Sequence, residues 1–327
     1  SLLVVWIDPQ VVPAHRIHDC FFTHPFSLRE NGSSVNGQEM IRIGTSAVSM
    51  SEGRCEVYDN YFYRCDGEVE IISNKSCGNT YRNNVFDSCQ GTLTLRHGNG
   101  CTVDGNYFFG RGVANTGGVR IIGERHRVFN NYFEELAGRD QRSAISLVRG
   151  VENSELYEYF QVRDAQVGFN TIVNCRSGIM ANTGSSTSMM PVVESLVAAN
   201  LIVGNASGAM QGVTVVADPA PDIRWEGNHV YGVTVTGDTD GGVATAPGFD
   251  HECRSATYVL RGESVGNYDK VSGFGYVATD ITGAPRPDAK TPGAHEPAAE
   301  NPTRTMPTLD IEEVLTRESA GVTWQSL

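Results

Sequence analysis

Short runs in which every second residue is apolar recur through the first part of the chain. They are Met40-Ile41-Arg42-Ile43, Glu68-Val69-Glu70-Ile71, Thr92-Leu93-Thr94-Leu95 and Gly118-Val119-Arg120-Ile121. Each predicts a strand with one buried and one outward face. A second motif keeps step with them, an asparagine followed by an aromatic or aliphatic pair. It occurs at Asn60-Tyr61-Phe62, Asn84-Val85-Phe86, Asn106-Tyr107-Phe108, Asn131-Tyr132-Phe133, Asn170-Thr171-Ile172, Asn200-Leu201-Ile202 and Asn228-His229-Val230. The first four are 24, 22 and 25 residues apart, and the later gaps of 39, 30 and 28 fit the same period with loops inserted, such as Val151 to Arg163 and Thr183 to Pro191. Such a period, carrying short strands and a turn asparagine, predicts a solenoid that coils once per repeat.

The expected fold is therefore all-β, a right-handed parallel β-helix. Ile41 and Ile43, Val69 and Ile71, Leu93 and Leu95, and Val119 and Ile121 are expected to stack inside it. The asparagines read as structural: Asn tolerates left-handed backbone, bonds main chain at turns, and can form a ladder from coil to coil. A leucine-rich horseshoe would need helices and regular Leu spacing, which this sequence lacks.

The pattern weakens after about residue 235. One β-helix domain is expected over residues 1–300, with 301–327 as a C-terminal extension whose amphipathic stretch Leu309 to Thr316 packs on the solenoid or caps it. The opening Ser1-Leu2-Leu3-Val4-Val5-Trp6-Ile7 reads as a strand already inside a fold. It suggests a chain lacking its N-terminal coils, and with them the secretion signal of a secreted or periplasmic protein. No run of about 20 apolar residues is present to span a membrane.

Composition changes this picture in two places. The net charge of −13 argues against nucleic acid as a partner, while local arginines can still hold an anionic polymer. The eight cysteines include no C-x-x-C pair, which argues against a thiolate metal site. Cys65 and Cys89, like Cys77 and Cys101, are 24 residues apart. Free thiols stacked in neighbouring coils fit better than disulfides, because coils lie about 4.8 Å apart and disulfide β-carbons prefer about 3.8 Å.

The candidate chemistry lies on the outward face. In register, Arg42, Glu68 with Glu70, Thr94 with Arg96, and Arg120 point outward on consecutive coils. Two glutamates at i and i+2 sit about 7 Å apart on one face and repel. A hard cation with oxygen ligands, calcium first, relieves this, and so would flanking arginines without metal. Lys75 and Arg96 complete a set suited to removing a proton beside a carboxylate. A cation and arginines acidify that carbon, Lys75 takes the proton as a neutral amine, and Arg96 stabilises the departing charge. The bland alternative is a solvated ion network in which Lys75 and Arg96 pair with Glu68 and Glu70.

The run from Gly67 through Glu68, Val69, Glu70, Ile71, Ile72, Ser73, Asn74 and Lys75 to Ser76, then Leu95-Arg96-His97-Gly98 and Gly117-Gly118-Val119-Arg120-Ile121-Ile122-Gly123, closely resembles polysaccharide lyase family six. That family holds alginate lyases and chondroitinase B-type enzymes. Asn36-Gly37 and Ile41-Arg42-Ile43-Gly44-Thr45-Ser46 fit the preceding coil, and the likeness runs from about Leu2 to Thr183. The resemblance implies Lys75 as general base, Arg96 as proposed general acid, Glu68 and Glu70 as calcium ligands with Asn36 as the third, and Arg42, His97 and Arg120 lining the substrate cleft. It implies β-elimination of a uronate polymer, alginate first, with dermatan sulfate the second candidate because Arg139, Arg142 and Arg149 could meet sulfate. His97 could instead only bond backbone, and His126 reads as structural. Tyr157 and Tyr159 fall in the inserted loop, which could lean over the cleft. A hydrolase would need two carboxyls flanking the scissile bond. A non-catalytic carbohydrate-binding β-helix would need no such ordered polar set.

Overall fold

The computed structural model describes residues 1–296 except 25, 186, 205–209, 246–248, 255–256 and 263–270, with only the backbone described for 33, 249–254 and 257–262. The extension at 301–327, with Leu309 to Thr316, lies outside the described residues. Three parallel sheets run along the solenoid; among the described residues eight successive coils give one strand to each, and the last adds a strand only to the first and third. The coil that carries Lys75, for example, passes through Glu70–Lys75 in the first sheet, Thr80–Arg82 in the second and Val85–Asp87 in the third. This is the parallel β-helix expected from the period.

The core fills the tube in stacked rows. Phe22, Phe62, Phe86, Phe108 and Phe133 stack along it with ring centroids 4.5–4.8 Å apart, the spacing of adjacent strands. The asparagine ladder is continuous: each Nδ2 donates to the Oδ1 of the next, from Asn60 through Asn84, Asn106, Asn131, Asn170 and Asn200 to Asn228, at 2.8–3.0 Å. One detail differs from expectation. The left-handed residue is the one before each ladder asparagine, including Asp59, Asn130, Phe169 and Ala199 at φ of 52–54°. The ladder side chains hold that turn even where Phe or Ala must adopt a conformation that costs roughly 1–2 kcal/mol.

Seven of the cysteines are free, as expected, and Cys65 and Cys89 touch from coil to coil, Cys65 N lying 3.4 Å from Cys89 Sγ. The side chain of Cys253 is outside the described set.

The interior pairing of Val69 with Ile71 is not what forms. Ile41, Ile72, Leu93 and Val119 line up, and so do Ile43, Asn74, Leu95 and Ile121. A register shift beside Glu70 makes Ile71 an extra residue, so the alternation changes phase. Ile71 stays in the core, while Val69 is only half-buried. The structural reason is the Ile71-Ile72 pair: both bury, which a strict alternation would forbid.

Past the coils, residues 271–296 pack along the outside of the solenoid. Phe274 and Val277 bury against Phe129, Phe169 and Leu196, and Ile281 and Ala294 join Tyr61, Val85, Tyr107 and Tyr132. Arg286 anchors this segment, bonding the Asn130 side chain and pairing with Glu296.

Candidate functional site

The phase change at Ile71 builds the site. Beyond it Ser73 registers with Arg42 and Thr94, and Thr94 with Arg120. One step further, Lys75 registers with Gly44 and His97. A second irregularity between Leu95 and His97 makes Arg96 the extra residue of its strand. Gly44 permits the close approach: it has φ +82°, and a β-carbon there would stand 2.2 Å from the Lys75 carbonyl oxygen.

Behind this face lies a residue that the sequence pattern had not marked. Asn74 points inward, fully buried, and donates to the His97 carbonyl at 2.7 Å. Its Oδ1 accepts from Asn79 and from the Tyr81 hydroxyl, both at 2.7 Å. A polar residue in the tube is tolerated because its bonds are met, and these bonds tie the Lys75 strand to the His97 strand.

Glu70 lies between two arginines. Its Oε1 is 3.6 Å from Arg96 Nε and 3.9 Å from Arg120 Nη1. Both separations exceed hydrogen-bond length, so these are charge neighbours and leave the carboxylate oxygen available to another partner. The inserted loop closes over the same arginines. Arg96 donates to the carbonyls of Glu158 at 2.8 Å and Tyr157 at 2.9 Å. Its guanidinium lies 4.3 Å from the centre of the Tyr159 ring, and that of Arg120 lies 5.0 Å away. Arg120, only 2% exposed, also donates to the Tyr159 hydroxyl. Burial draws Arg96 below its ordinary pKa, although Tyr159 and Glu70 oppose that. A guanidinium remains protonated regardless.

Three carboxyls gather at the other edge. Glu68 is pushed up to about 7, first by burial and then by Glu39 and Glu70, and its Oε1 is buried without a partner. Glu39 is 2% exposed. Burial acts to raise it, yet the Ser1 hydroxyl, backbone and the Lys75 ammonium bring it below the ordinary carboxyl value. Nothing in the alternating pattern distinguished Glu39, since its burial depends on the neighbouring coil. Among the described residues no three acidic, histidine or cysteine side chains converge closely enough to hold a metal ion in this arrangement. Asn36 is exposed, and no described contact joins it to Glu68 or Glu70. The donor chemistry nevertheless suits a hard cation: acidic oxygens in mutual repulsion, one of them unsatisfied.

His97 is 1% exposed and held down to about 3 by burial, Arg96 and Lys75. It is a neutral imidazole at ordinary pH, with Nδ1 buried and unpartnered. Arg42 is half-buried and its Nε also lacks a partner. His126 is structural as expected, its ring bonding the Cys101 amide at 3.1 Å and the Ile122 carbonyl at 3.0 Å.

Comparison with known proteins bears on this arrangement. The chondroitinase B family model matches residues 8–203, which include every candidate site residue. No curated protein sequence matches the chain. Among solved structures, the family six alginate lyase AlyGC is 36% identical, with TM-score 0.70, over 80% of this chain and 35% of its own. A mannuronic acid specific family six lyase from human gut microbiota is 29% identical, with TM-score 0.61, over 73% of this chain and 56% of its own. A further alginate lyase, solved with a trisaccharide, shares the fold at TM-score 0.66 and 24% identity, over 80% of this chain and 60% of its own. The chain thus spans about a third to three-fifths of the length of these structures. On the extent of the family match and the likeness to AlyGC, the chain belongs to polysaccharide lyase family six.

Proposed function

We propose that the chain is the catalytic part of a lyase that cleaves a uronate polysaccharide, alginate first, by β-elimination at the 4-O-glycosidic bond. The observation that carries this reading is the register of Lys75 with His97, with Arg96 bulged between coils and Glu70 flanked by Arg96 and Arg120. Lys75 removes the proton from the carbon beside the uronate carboxylate. The electron pair forms the 4,5 double bond, and the bond from carbon 4 to the glycosidic oxygen breaks. Arg96 stabilises the departing oxygen until solvent protonates it. Arg42, His97 and Arg120 line the sugar path, where two arginines and a neutral imidazole can meet carboxylate and hydroxyl groups.

Calcium is the proposed cofactor, which Glu68, Glu70 and Asn36 would hold, with Glu39 beside the two glutamates. The unpartnered Glu68 oxygen supports that assignment. When bound, the ion would neutralise the substrate carboxylate and acidify the neighbouring carbon. An alginate preference is supported by what AlyGC and the gut enzyme are described as acting on. A dermatan sulfate lyase is the second reading, favoured by the chondroitinase B model. A polymer substrate of either kind places the protein outside the cytoplasm, secreted or periplasmic. No helix among the described residues is long and apolar enough to cross a membrane.

The test is to incubate the protein with polyguluronate, polymannuronate and dermatan sulfate and follow the ultraviolet absorbance of the unsaturated product, with and without chelator. A rise that a chelator abolishes is expected with a mannuronate or guluronate polymer; no rise with any uronate ends the lyase reading. Lys75→Ala should lose at least about a hundredfold in rate, within the range of a general base, with its thermal unfolding unchanged.

A further inference from the structure

Three asparagines in the chain are followed by glycine: Asn31-Gly32, Asn36-Gly37 and Asn99-Gly100. Such a pair can rearrange without an enzyme. The glycine amide nitrogen attacks the side-chain carbonyl carbon of the asparagine, ammonia leaves, and the resulting succinimide ring takes up water to open as aspartate or isoaspartate. Glycine permits the approach because it has no β-carbon to block it. The reaction needs an asparagine side chain free to fold back and a following amide free of hydrogen bonds. The fold meets these conditions unequally at the three positions.

Asn99-Gly100 is locked. Asn99 Oδ1 accepts from the Glu124 amide at 3.0 Å, and the Gly100 amide donates to the Glu124 carbonyl at 2.8 Å. Asn31-Gly32 forms the two-residue turn of the hairpin that pairs Arg29–Glu30 with Ser33–Ser34, at φ of 51° and 81°. That left-handed pair matches the twist of the flanking strands, so Asn31 cannot rotate towards the Gly32 amide without opening the hairpin. Asn36-Gly37 has neither restraint. Asn36 is exposed, and Gly37 lies at φ +88° with nothing within 4 Å of a β-carbon placed on it. Among the described residues no hydrogen bond engages the Asn36 side chain or the Gly37 amide; the Gly37 carbonyl alone is held, by the Ser1 ammonium. The flanking residues are anchored. Val35 N donates to the Leu28 carbonyl at 2.9 Å, and the Gln38 side chain bonds both main-chain groups of Leu28, at 2.6 and 3.1 Å. The pair is thus an open step presented to water between two fixed residues.

We propose that Asn36 is a site of spontaneous deamidation, and that calcium protects it. The second part rests on the cofactor reading above, in which Asn36 is a ligand: a side chain held on the ion cannot fold back onto the Gly37 nitrogen. Isoaspartate lengthens the main chain by a methylene and shortens the side chain by the same, which withdraws the ligand oxygen. The metal-free protein therefore loses its cation site with time, and the loaded protein keeps it.

The test incubates the full chain in warm, mildly alkaline buffer, with calcium or with chelator, and follows the three Asn-Gly peptides by mass spectrometry, separating isoaspartate from aspartate by elution. In chelator Asn36 should convert at least about tenfold faster than Asn99, which must first break two hydrogen bonds of about 0.5–1.5 kcal/mol each. Calcium at about ten times its Kd should slow Asn36 by about tenfold, since only the unloaded fraction reacts. By calorimetry, protein aged in chelator should bind less calcium per chain than fresh protein, in proportion to the isoaspartate found. Asn36→Gln, whose longer side chain closes its ring far more slowly, should show no conversion at this position. Asn36 remaining intact in chelator, or converting no faster than Asn99, overturns the modification site. Equal conversion with and without calcium keeps the modification site, overturns the protection and takes Asn36 out of the ligand set, while the lyase reading stands or falls on its own absorbance assay.

Discussion

Tyr159 couples two arginines from adjacent coils to one residue of an inserted loop. Its ring stacks on Arg96 and Arg120, and its hydroxyl accepts from Arg120. A cation–π contact of this kind contributes about 0.5–2 kcal/mol, more as water is excluded, so the ring matters more than the hydroxyl for keeping the loop in place. Tyr159→Phe should keep Arg96 positioned and lose only a few-fold in turnover of a uronate polymer. Tyr159→Ala releases both guanidinium groups, and misplacement on the ångström scale is worth up to about a hundredfold in rate. Limited proteolysis should then cut within residues 151–160 of the Ala variant faster than in Tyr159→Phe. Equal rates and equal cleavage in the two variants would show that the ring positions nothing.

The ladder asparagine and the strand bulge respond differently to substitution. Asn106 donates to the carbonyls of Tyr81 and Asp104 and to Asn131, and accepts from the Asn84 amide and side chain. Asn106→Ala strands several buried partners at once, each costing about 1–3 kcal/mol. A loss of at least about 3 kcal/mol in urea-induced unfolding is expected, with the loss of cooperativity that a broken repeat interface brings. These elements were legible in the sequence because the repeat writes them many times over: seven asparagines at coil spacing identify the ladder without knowledge of any single turn. The site was legible only in part. Glu68, Glu70, Lys75 and Arg96 stand out as charges on alternating strands, but the Ile71-Ile72 pair allows two phases, and only packing selects the one that turns Asn74 inward. Glu39 was hidden because its burial comes from other coils. The closing of the 151–163 loop over Arg96 is a long-range contact, which no local pattern encodes.

At the scale of the whole molecule, burial of histidine sets the response to acid. His126 and His295 are held at about 4 and His97 at about 3, burial being the main cause in each, and His229 is lowered as well. An unfolded histidine titrates near 6.5. Between about pH 4.5 and 6.5 the unfolded chain therefore binds protons at these positions that the folded chain does not, and stability must fall as pH falls. The raised carboxyls act in the opposite sense. Glu68 at about 7, with Glu134 also raised by burial, binds protons in the folded state over part of the same window, so each contributes stability that is lost as pH rises. His97, His126 and His295, at about 3 to 4, against Glu68 at about 7 leave the histidines in control, while His229 and Glu134 act in opposite directions. Urea unfolding should show stability rising from pH 4.5 to about 6.5 and flattening towards 7, as the unfolded histidines finish losing their protons and Glu68 gives up its own. His126 gives the sharpest check. Its Nδ1 accepts the Cys101 amide while Nε2 faces the Ile122 carbonyl, so the added proton would set two donors against each other. His126→Gln should be less stable at neutral pH yet show a shallower acid limb, by up to about 1.4 kcal/mol per pH unit, the value of one proton. An unchanged slope would mean that His126 already takes up its proton in the folded state within this window.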